Sequence, residues 1–276
     1  MKAPTLSRRR LLLYGLAAVP GFVAPRLLSA SATDGGDAGL SPIELAYDPD
    51  AHSWAFVCDT TRCIGCGLCV EACKLENHVP DEPDANRTWV ELHEVTESGA
   101  IVVSQARPRL EPTAPAETGA PGAAGTVKVT VTDAYFVSRL CMQCEDPPCV
   151  SVCPVSATYR TADGITLVDE SRCIGCGYCV VACPYGARYI VPSGGETPKD
   201  AAGVADKCTF CYHRITRGRK PACVEVCPMG ARQLGDLADP GDPIHDVLGR
   251  PDVGLMNPGL GTRPRVSYVG LGVEEA

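Results

Sequence analysis

The stretch Cys173-Ile174-Gly175-Cys176-Gly177-Tyr178-Cys179-Val180-Val181-Ala182-Cys183-Pro184 decides how the chain is read. Three thiolates at two-residue gaps can close on one face of a four-iron cube, and the small residues between them let backbone N–H groups approach the sulfurs. Cys183 follows after three residues and precedes a proline; a cysteine so placed ligates the other cluster of a pair. The run therefore asks for a second set of cysteines elsewhere in the chain.

There are three more sets. Of 17 cysteines in 276 residues, sixteen fall into four groups: Cys63, Cys66, Cys69 and Cys73; Cys141, Cys144, Cys149 and Cys153; Cys173, Cys176, Cys179 and Cys183; and Cys208, Cys211, Cys223 and Cys227. Only Cys58 is left over, and it reads as a small buried residue. Arg62 to Cys73 matches Arg172 to Cys183 at ten of twelve positions, differing at Leu68/Tyr178 and Glu71/Val181. The chain thus contains an internal repeat. Groups two, three and four end in Cys-x3-Cys-Pro, whereas Cys73 is followed by Lys74. A structural zinc protein is the rival of a different class, since Cys-x2-Cys pairs also make closed tetrahedral sites. Zinc sites usually use two such pairs, and the triple spacing of groups one and three favours iron-sulfur.

The remaining composition, with 28 Gly, 24 Pro, 4 Phe and 2 Trp, suggests a loop-rich protein in which clusters replace much of the missing apolar core. Residues 1–32 read as a twin-arginine export signal: Ser7-Arg8-Arg9-Arg10, the apolar run Leu11 to Val19, then Ala30-Ser31-Ala32 as a cleavage site. An uncleaved anchor is the alternative, but Pro20 and Pro25 interrupt a run that would need about 18 apolar residues to span a bilayer. That export route carries folded proteins, so clusters can be installed before the crossing and the cysteines need not form a disulfide framework. Removing residues 1–32, with five basic side chains and no acidic ones, takes the net charge from −8 to −13. So acidic a protein argues against nucleic acid or anionic lipid as a partner. No later segment is long and apolar enough to span a membrane, so membrane association is expected only through a partner.

Along the chain, residues 33–53 read as irregular and Trp54 to Cys58 as a strand entering the first cysteine group. A short helix is expected over Cys69 to Asn77, then strands over Thr88 to His93 and Ile101 to Ser104. Residues 106–125 form an Ala/Pro/Gly-rich insert. The alternation of Val127, Val129 and Val131 predicts a strand before group two, and Ile165 to Asp169 another before group three. The tail from Asp236 is expected to wrap the surface.

In this order and with these flanks, the four groups resemble the iron-sulfur subunits of membrane-linked complexes of the DMSO reductase superfamily, among them those of tetrathionate and polysulfide reductases. The likeness spans Trp54 to Val269 and includes Cys73-Lys74-Leu75-Glu76-Asn77, Cys141-Met142-Gln143-Cys144, Lys220-Pro221-Ala222-Cys223 and the ending Gly261-Thr262-Arg263-Pro264-Arg265-Val266-Ser267-Tyr268. The resemblance implies an α+β fold of two ferredoxin-like units, each holding two 4Fe-4S clusters, in pseudo-twofold relation. Residues 54–105 and 203–235 would form the first unit, 126–202 the second, and 236–276 the wrapping tail. It also implies that group one shares clusters with group four, and group two with group three. The four clusters would be held by Cys63, Cys66, Cys69 and Cys227; by Cys73, Cys208, Cys211 and Cys223; by Cys141, Cys144, Cys149 and Cys183; and by Cys153, Cys173, Cys176 and Cys179. Every ligand position is cysteine, which predicts no three-iron cluster.

The implied function is a non-catalytic, periplasmic one-electron relay between a quinone-reactive integral membrane subunit and a catalytic subunit of the molybdopterin type. Alternatives within electron transfer are the same relay serving a nickel-iron hydrogenase or a cytochrome-containing complex. No nucleophile motif, P-loop or dinucleotide fingerprint suggests chemistry of the chain's own. Arg62, Lys74, Arg139, Arg172 and Lys207 flank the ligands and either raise reduction potentials or serve as ordinary surface charge. The run His213, Arg214, Arg217, Arg219 and Lys220 either offsets the charge of a nearby cluster, faces a partner or lies in a solvated loop. The five histidines show no metal-ligand spacing. Trp54 and Trp89 read as core residues.

Overall fold

Strand β1 (Trp54–Asp59) carries side chains that are apolar on both faces, and it lies inside a four-stranded sheet of order β10 (Val253–Leu255), β11 (Val266–Val269), β1, β9 (Arg232–Asp236). The computed structural model describes residues 47–105, 130–193 and 202–271. The proposed signal, most of the irregular segment after it, and the Ala/Pro/Gly-rich insert lie outside these residues. Strand β1 pairs in parallel with β11 (Val266–Val269), Phe56 facing Val266, and antiparallel with β9 (Arg232–Asp236), Cys58 facing Arg232. Strand β10 (Val253–Leu255) closes the far edge on β11. One face of the sheet buries Phe56, Cys58, Val266 and Tyr268 in the main core; the other packs Val57 and Val269 against helix α6 (Ile244–Leu248) through Ile244.

A second sheet, of order β3-β2-β4, is built from β2 (Thr88–Thr96), β3 (Ile101–Gln105) and β4 (Val131–Leu140). Two small ribbons complete the strands: β5 (Thr158–Arg160) with β6 (Thr166–Val168), and β7 (Tyr189–Ile190) with β8 (Ala205–Asp206). The helices are short: α1 (Leu68–Asn77), α2 (Pro148–Ser151), α3 (Tyr178–Val181), α4 (Tyr212–Ile215) and α5 (Ala222–Glu225), each carrying or adjoining cysteines. Small sheets and mostly single-turn helices joined by loops make an α+β chain, loop-rich as the composition suggested and of the class that the resemblance implied. Among the described residues no helix is long and apolar enough to cross a membrane.

The strand expected on Val127, Val129 and Val131 begins only at Val131 and runs on to Leu140; Val127 and Val129 lie outside the described residues. The tail is not a surface wrap alone. Val266, Tyr268 and Val269 are fully buried, because β11 supplies the parallel neighbour that satisfies one edge of β1. Just before β11, backbone bonds join the second cysteine group to the tail: Glu145 N to Arg263 O at 2.9 Å, Asp146 N to Thr262 O at 3.1 Å, and Arg265 N to Met142 O at 3.0 Å. The Gly- and Pro-rich composition of the tail hid a strand only four residues long.

Candidate metal centres

The cysteines sit on tight turns that lead into short helices. In the first repeat Gly67 (φ 75°) is the left-handed residue before α1, and in the third group Gly177 (φ 75°) occupies the same place before α3. Neither helix has a side-chain cap at its start. The turn leaves Cys66 and Cys176 exposed while Cys69 and Cys179, three residues later, are buried.

Packing joins group one to group four. Helix α1 lies against α5, and the contact leaves two cavities. The first is lined by Cys63, Cys66, Cys69 and Cys227 together with Ile64, Leu68, Val90 and Met229. The second is lined by Cys73, Cys208, Cys211 and Cys223 with Phe56, Asn77 and Phe210. In each, three cysteines come from one group and the fourth from the other, because the last cysteine of a group is carried past its own cavity, Cys73 farther along α1 and Cys227 just beyond α5. Helix α2 packs likewise against α3. There Cys144 lies within electrostatic reach of Cys141, Cys149 and Cys183, while Cys173 and Cys179 pack with Cys149. Cys153 lies just past α2.

Backbone amides point at several sulfurs: Ala231 N donates to Cys227 Sγ at 3.3 Å, Ala157 N to Cys153 Sγ at 3.2 Å, Phe210 N to Cys208 Sγ at 3.4 Å and Ala205 N to Cys173 Sγ at 3.4 Å. The Asn77 side-chain amide is shared between Cys73 Sγ at 3.5 Å and Cys211 Sγ at 3.7 Å. Burial pushes the thiols of Cys73 and Cys144 up to about 12, with neighbouring thiols adding to the rise. Such sulfurs are thiolates only where a cation compensates them, as cluster iron would. Cys153 is the opposite case: its slight burial raises it, but backbone N–H groups of Thr158, Val155 and Ala157 outweigh that and lower its pKa. Cys58 is 1 % exposed on β1, and burial pushes its thiol up to about 12. It lies beside the cysteine cavities and lines neither.

Buried cations accompany the sulfurs. Lys207 is completely buried; its ammonium donates to the carbonyls of Thr166 and Cys208, the latter at 2.9 Å. Gln143, also fully buried, bridges the same place, its amide donating to Cys208 O at 2.7 Å while its oxygen accepts from Thr166 N at 2.8 Å. Arg232 lines both cavities of the first pair. Burial opposes its charge, but Cys69, Cys223 and Cys58 outweigh that and its pKa moves up. Arg188 stands in the second pair within reach of Cys149, Cys141 and Cys179, which raise its pKa against the same desolvation.

Of the flanking basic residues singled out in the sequence, Lys207 is buried and Arg62 and Arg172 are exposed. Arg214, from the basic run, is 4 % exposed and turned inward, paired with Glu76 at 2.7 Å and with Glu225; His213 also meets Glu76, at 2.8 Å. Trp54 and Trp89 pack against the core. Sequence reading missed Arg188 and Arg232, although the signal was present: Cys183-Pro184-Tyr185-Gly186-Ala187-Arg188 and Cys227-Pro228-Met229-Gly230-Ala231-Arg232 are one motif twice.

The donor set suits an iron-sulfur cluster. Four sulfurs surround an apolar hollow, amides aim at sulfur, and buried guanidinium N–H groups of Arg188 and Arg232 have no oxygen or nitrogen acceptor among the described residues. Comparison with known proteins agrees. Residues 62–157 and residues 132–237 each match a family described as a 4Fe-4S dicluster domain. The B subunit of tetrathionate reductase from Salmonella typhimurium is 40% identical over 247 residues, covering 85% of this chain and 83% of the relative. This chain is a member of the family of reductase iron-sulfur subunits. The B component of polysulfide reductase from Wolinella succinogenes is 34% identical to this iron-sulfur subunit, over 79% of it and 95% of the relative. The thiosulfate reductase electron transfer subunit of Salmonella typhi is 39% identical over 67% of the present subunit and 77% of its own length. The iron-sulfur subunit therefore carries two dicluster domains, with places for up to four clusters.

Proposed function

We propose that this iron-sulfur subunit is a four-cluster electron relay without substrate chemistry of its own. The ligand sets are the four inferred from the resemblance, two to each of two ferredoxin-like units in pseudo-twofold relation. When bound, each cluster supplies a one-electron site. The chain's residues hold the sites apart, exclude water and set their potentials. The observation that carries the reading is the pair of adjacent four-cysteine cavities with Arg232 common to both.

Neighbour relations support one order for the relay. Cys69 is close to Cys223, Cys208 to Cys141, and Cys149 packs with Cys179. The sites held by Cys63, Cys66, Cys69 and Cys227 and by Cys153, Cys173, Cys176 and Cys179 are then the two ends, and they own the exposed cysteines Cys66 and Cys176. Partners would dock at these ends: a molybdopterin-type catalytic subunit and a quinone-reactive integral membrane subunit. The relatives are named as lettered components of reductases, which supports a multi-subunit complex. The arginine-rich start of the chain supports export in folded form to the periplasmic face of the membrane.

The test is purification of the tagged full-length protein from native membranes in mild detergent, with iron and sulfide analysis, EPR, and mass spectrometry of the proteins that accompany it. Four 4Fe-4S clusters per chain with a molybdopterin subunit and a multi-span membrane subunit are expected. A protein holding zinc, a stoichiometric three-iron signal, or a subunit that emerges alone would overturn the respective part.

A further inference from the structure

Each ferredoxin-like unit has one arginine at the junction of its two cysteine sites, and the two arginines are built alike. Arg232 is 2 % exposed and Arg188 4 %. Each follows the Cys-Pro-x-Gly-Ala motif and begins or directly precedes a short strand, β9 or β7. Each gives one N–H to a threonine hydroxyl: Arg232 Nη2 donates to Thr88 Oγ1 at 2.6 Å, and Arg188 Nη1 to Thr158 Oγ1 at 3.3 Å. Each then has further N–H groups, Nε and Nη1 of Arg232 and Nε and Nη2 of Arg188, buried with no oxygen or nitrogen acceptor among the described residues, and a cysteine sulfur is beside each guanidinium, Cys223 for Arg232 and Cys179 for Arg188. A buried guanidinium with orphaned donors is costly unless something anionic faces it. Among the described residues no carboxylate pairs with either. The nearest anionic chemistry is the sulfur of two neighbouring sites at once, since Arg232 lines both cavities of its unit.

We infer that Arg232 and Arg188 are shared counter-cations, each poised between the two clusters of its unit and raising the reduction potential of both. The inference rests on the cluster assignment proposed above. A reduced cluster carries one more negative charge than an oxidised one, so a fixed cation favours the reduced form of whichever neighbour holds the electron. In a dry interior that effect is only weakly screened. One electron moves between the two sites, and the guanidinium neither gains nor loses a proton, since it stays protonated at any working pH. The charge is therefore constant, and both sites of a unit are raised together. The threonine holds the fork in one orientation, so these are positioning residues and not ligands.

The test is an EPR-monitored redox titration of the complete, cluster-loaded protein and of Arg232→Gln, with iron content measured alongside. Expected is full iron, with the reduction equilibrium of two clusters falling about tenfold, a shift of about 59 mV to lower potential for one electron, while the other two stay in place. Arg188→Gln should move the complementary two. Full iron with all four potentials unchanged, or all four displaced equally, overturns the inference and leaves the cluster assignment standing. Wild-type protein that assembles no clusters defeats the assignment and the inference with it. Should Arg232→Gln fail to assemble, Arg232→Lys decides. Potentials kept in that variant support a charge effect, and a tenfold fall despite the retained charge overturns it.

Discussion

Arg62 to Cys73 and Arg172 to Cys183 share ten of twelve residues, yet the first continues as a ten-residue helix and the second stops after four. The difference lies just past the repeat. Pro184 disfavours helical backbone at Cys183, so α3 ends at Val181; Lys74 imposes no such limit, and α1 runs on to Asn77 until His78 turns left-handed (φ 50°). The extra length brings Asn77 to two sulfurs and Glu76 to Arg214. After the second copy the chain instead turns through Gly186 and delivers Arg188 into the core. Near-identical ligand sequences thus acquire different surroundings because of the residues after each fourth cysteine.

The largest separation of the two copies is expected at their matched glycines. Gly65 (φ +69°) and Gly175 (φ +67°) incur the same backbone strain on gaining a side chain, about 1–2 kcal/mol. A Cβ on Gly175 would stand 2.1 Å from the carbonyl oxygen of Gly203, whereas one on Gly65 would stand 2.5 Å from the Phe136 ring, which can turn. Gly175→Ala should lose about 3–4 kcal/mol and Gly65→Ala about 1–3. Denaturant midpoints of the cluster-loaded proteins check this; equal losses would mean that the backbone near Gly203 yields as readily as a ring.

Converting one copy's exit into the other's is the next test. Lys74→Pro should end α1 early and destabilise by about 3 kcal/mol, with loss of the Glu76 to Arg214 pairing. Circular dichroism and the denaturant midpoint read it. A helix content like that of wild type would show that the residue after the fourth cysteine does not set the length of either helix.

A smaller effect concerns the sheet that covers the first copy, where Phe136 of β4 lies over Gly65. Glu91 of β2 accepts from Trp89 Nε1 at 2.8 Å, is bonded to His93 Nε2 at 3.1 Å and pairs with Arg139 of β4 at 2.8 Å. Burial would raise its carboxyl, but His93, Arg139 and Trp89 outweigh it and hold the pKa at about 2. Because the folded value lies below the unfolded one, the contribution is complete above about pH 4.5 and disappears as pH falls toward about 2. Glu91→Gln should cost on the order of 2 kcal/mol at pH 7. The gap between the urea midpoints of wild type and variant should narrow across that acid window; a gap independent of pH would show that the carboxylate charge is not what joins β2 to β4.

Much of the site was legible beforehand because iron-sulfur ligation is a matter of local spacing: two-residue gaps with glycines between are set by the turn and need no tertiary information. Helix α1 was legible as a run without breakers. Strand β11 was not, since four residues among glycines and prolines carry little periodic signal, and its burial comes from pairing with β1, far earlier in the chain. The basic residues were the least legible. Adjacency to a cysteine singled out Arg62 and Arg172, which are exposed, while Arg188 and Arg232, each one motif beyond the last cysteine of its group, are buried.

The dicluster matches follow the chain in order, 62–157 and 132–237, whereas the cavities join cysteines of group one to those of group four. By itself the sequence determined the number and type of sulfur donors, the repeat and the residues that end each helix, because all of these are properties of a few adjacent positions. Only the tertiary structure decided which groups share a cavity and which cations stand between them. Those depend on helix α1 meeting α5 and on β9 lying beside β1, contacts between segments far apart in the chain whose packing no local pattern encodes.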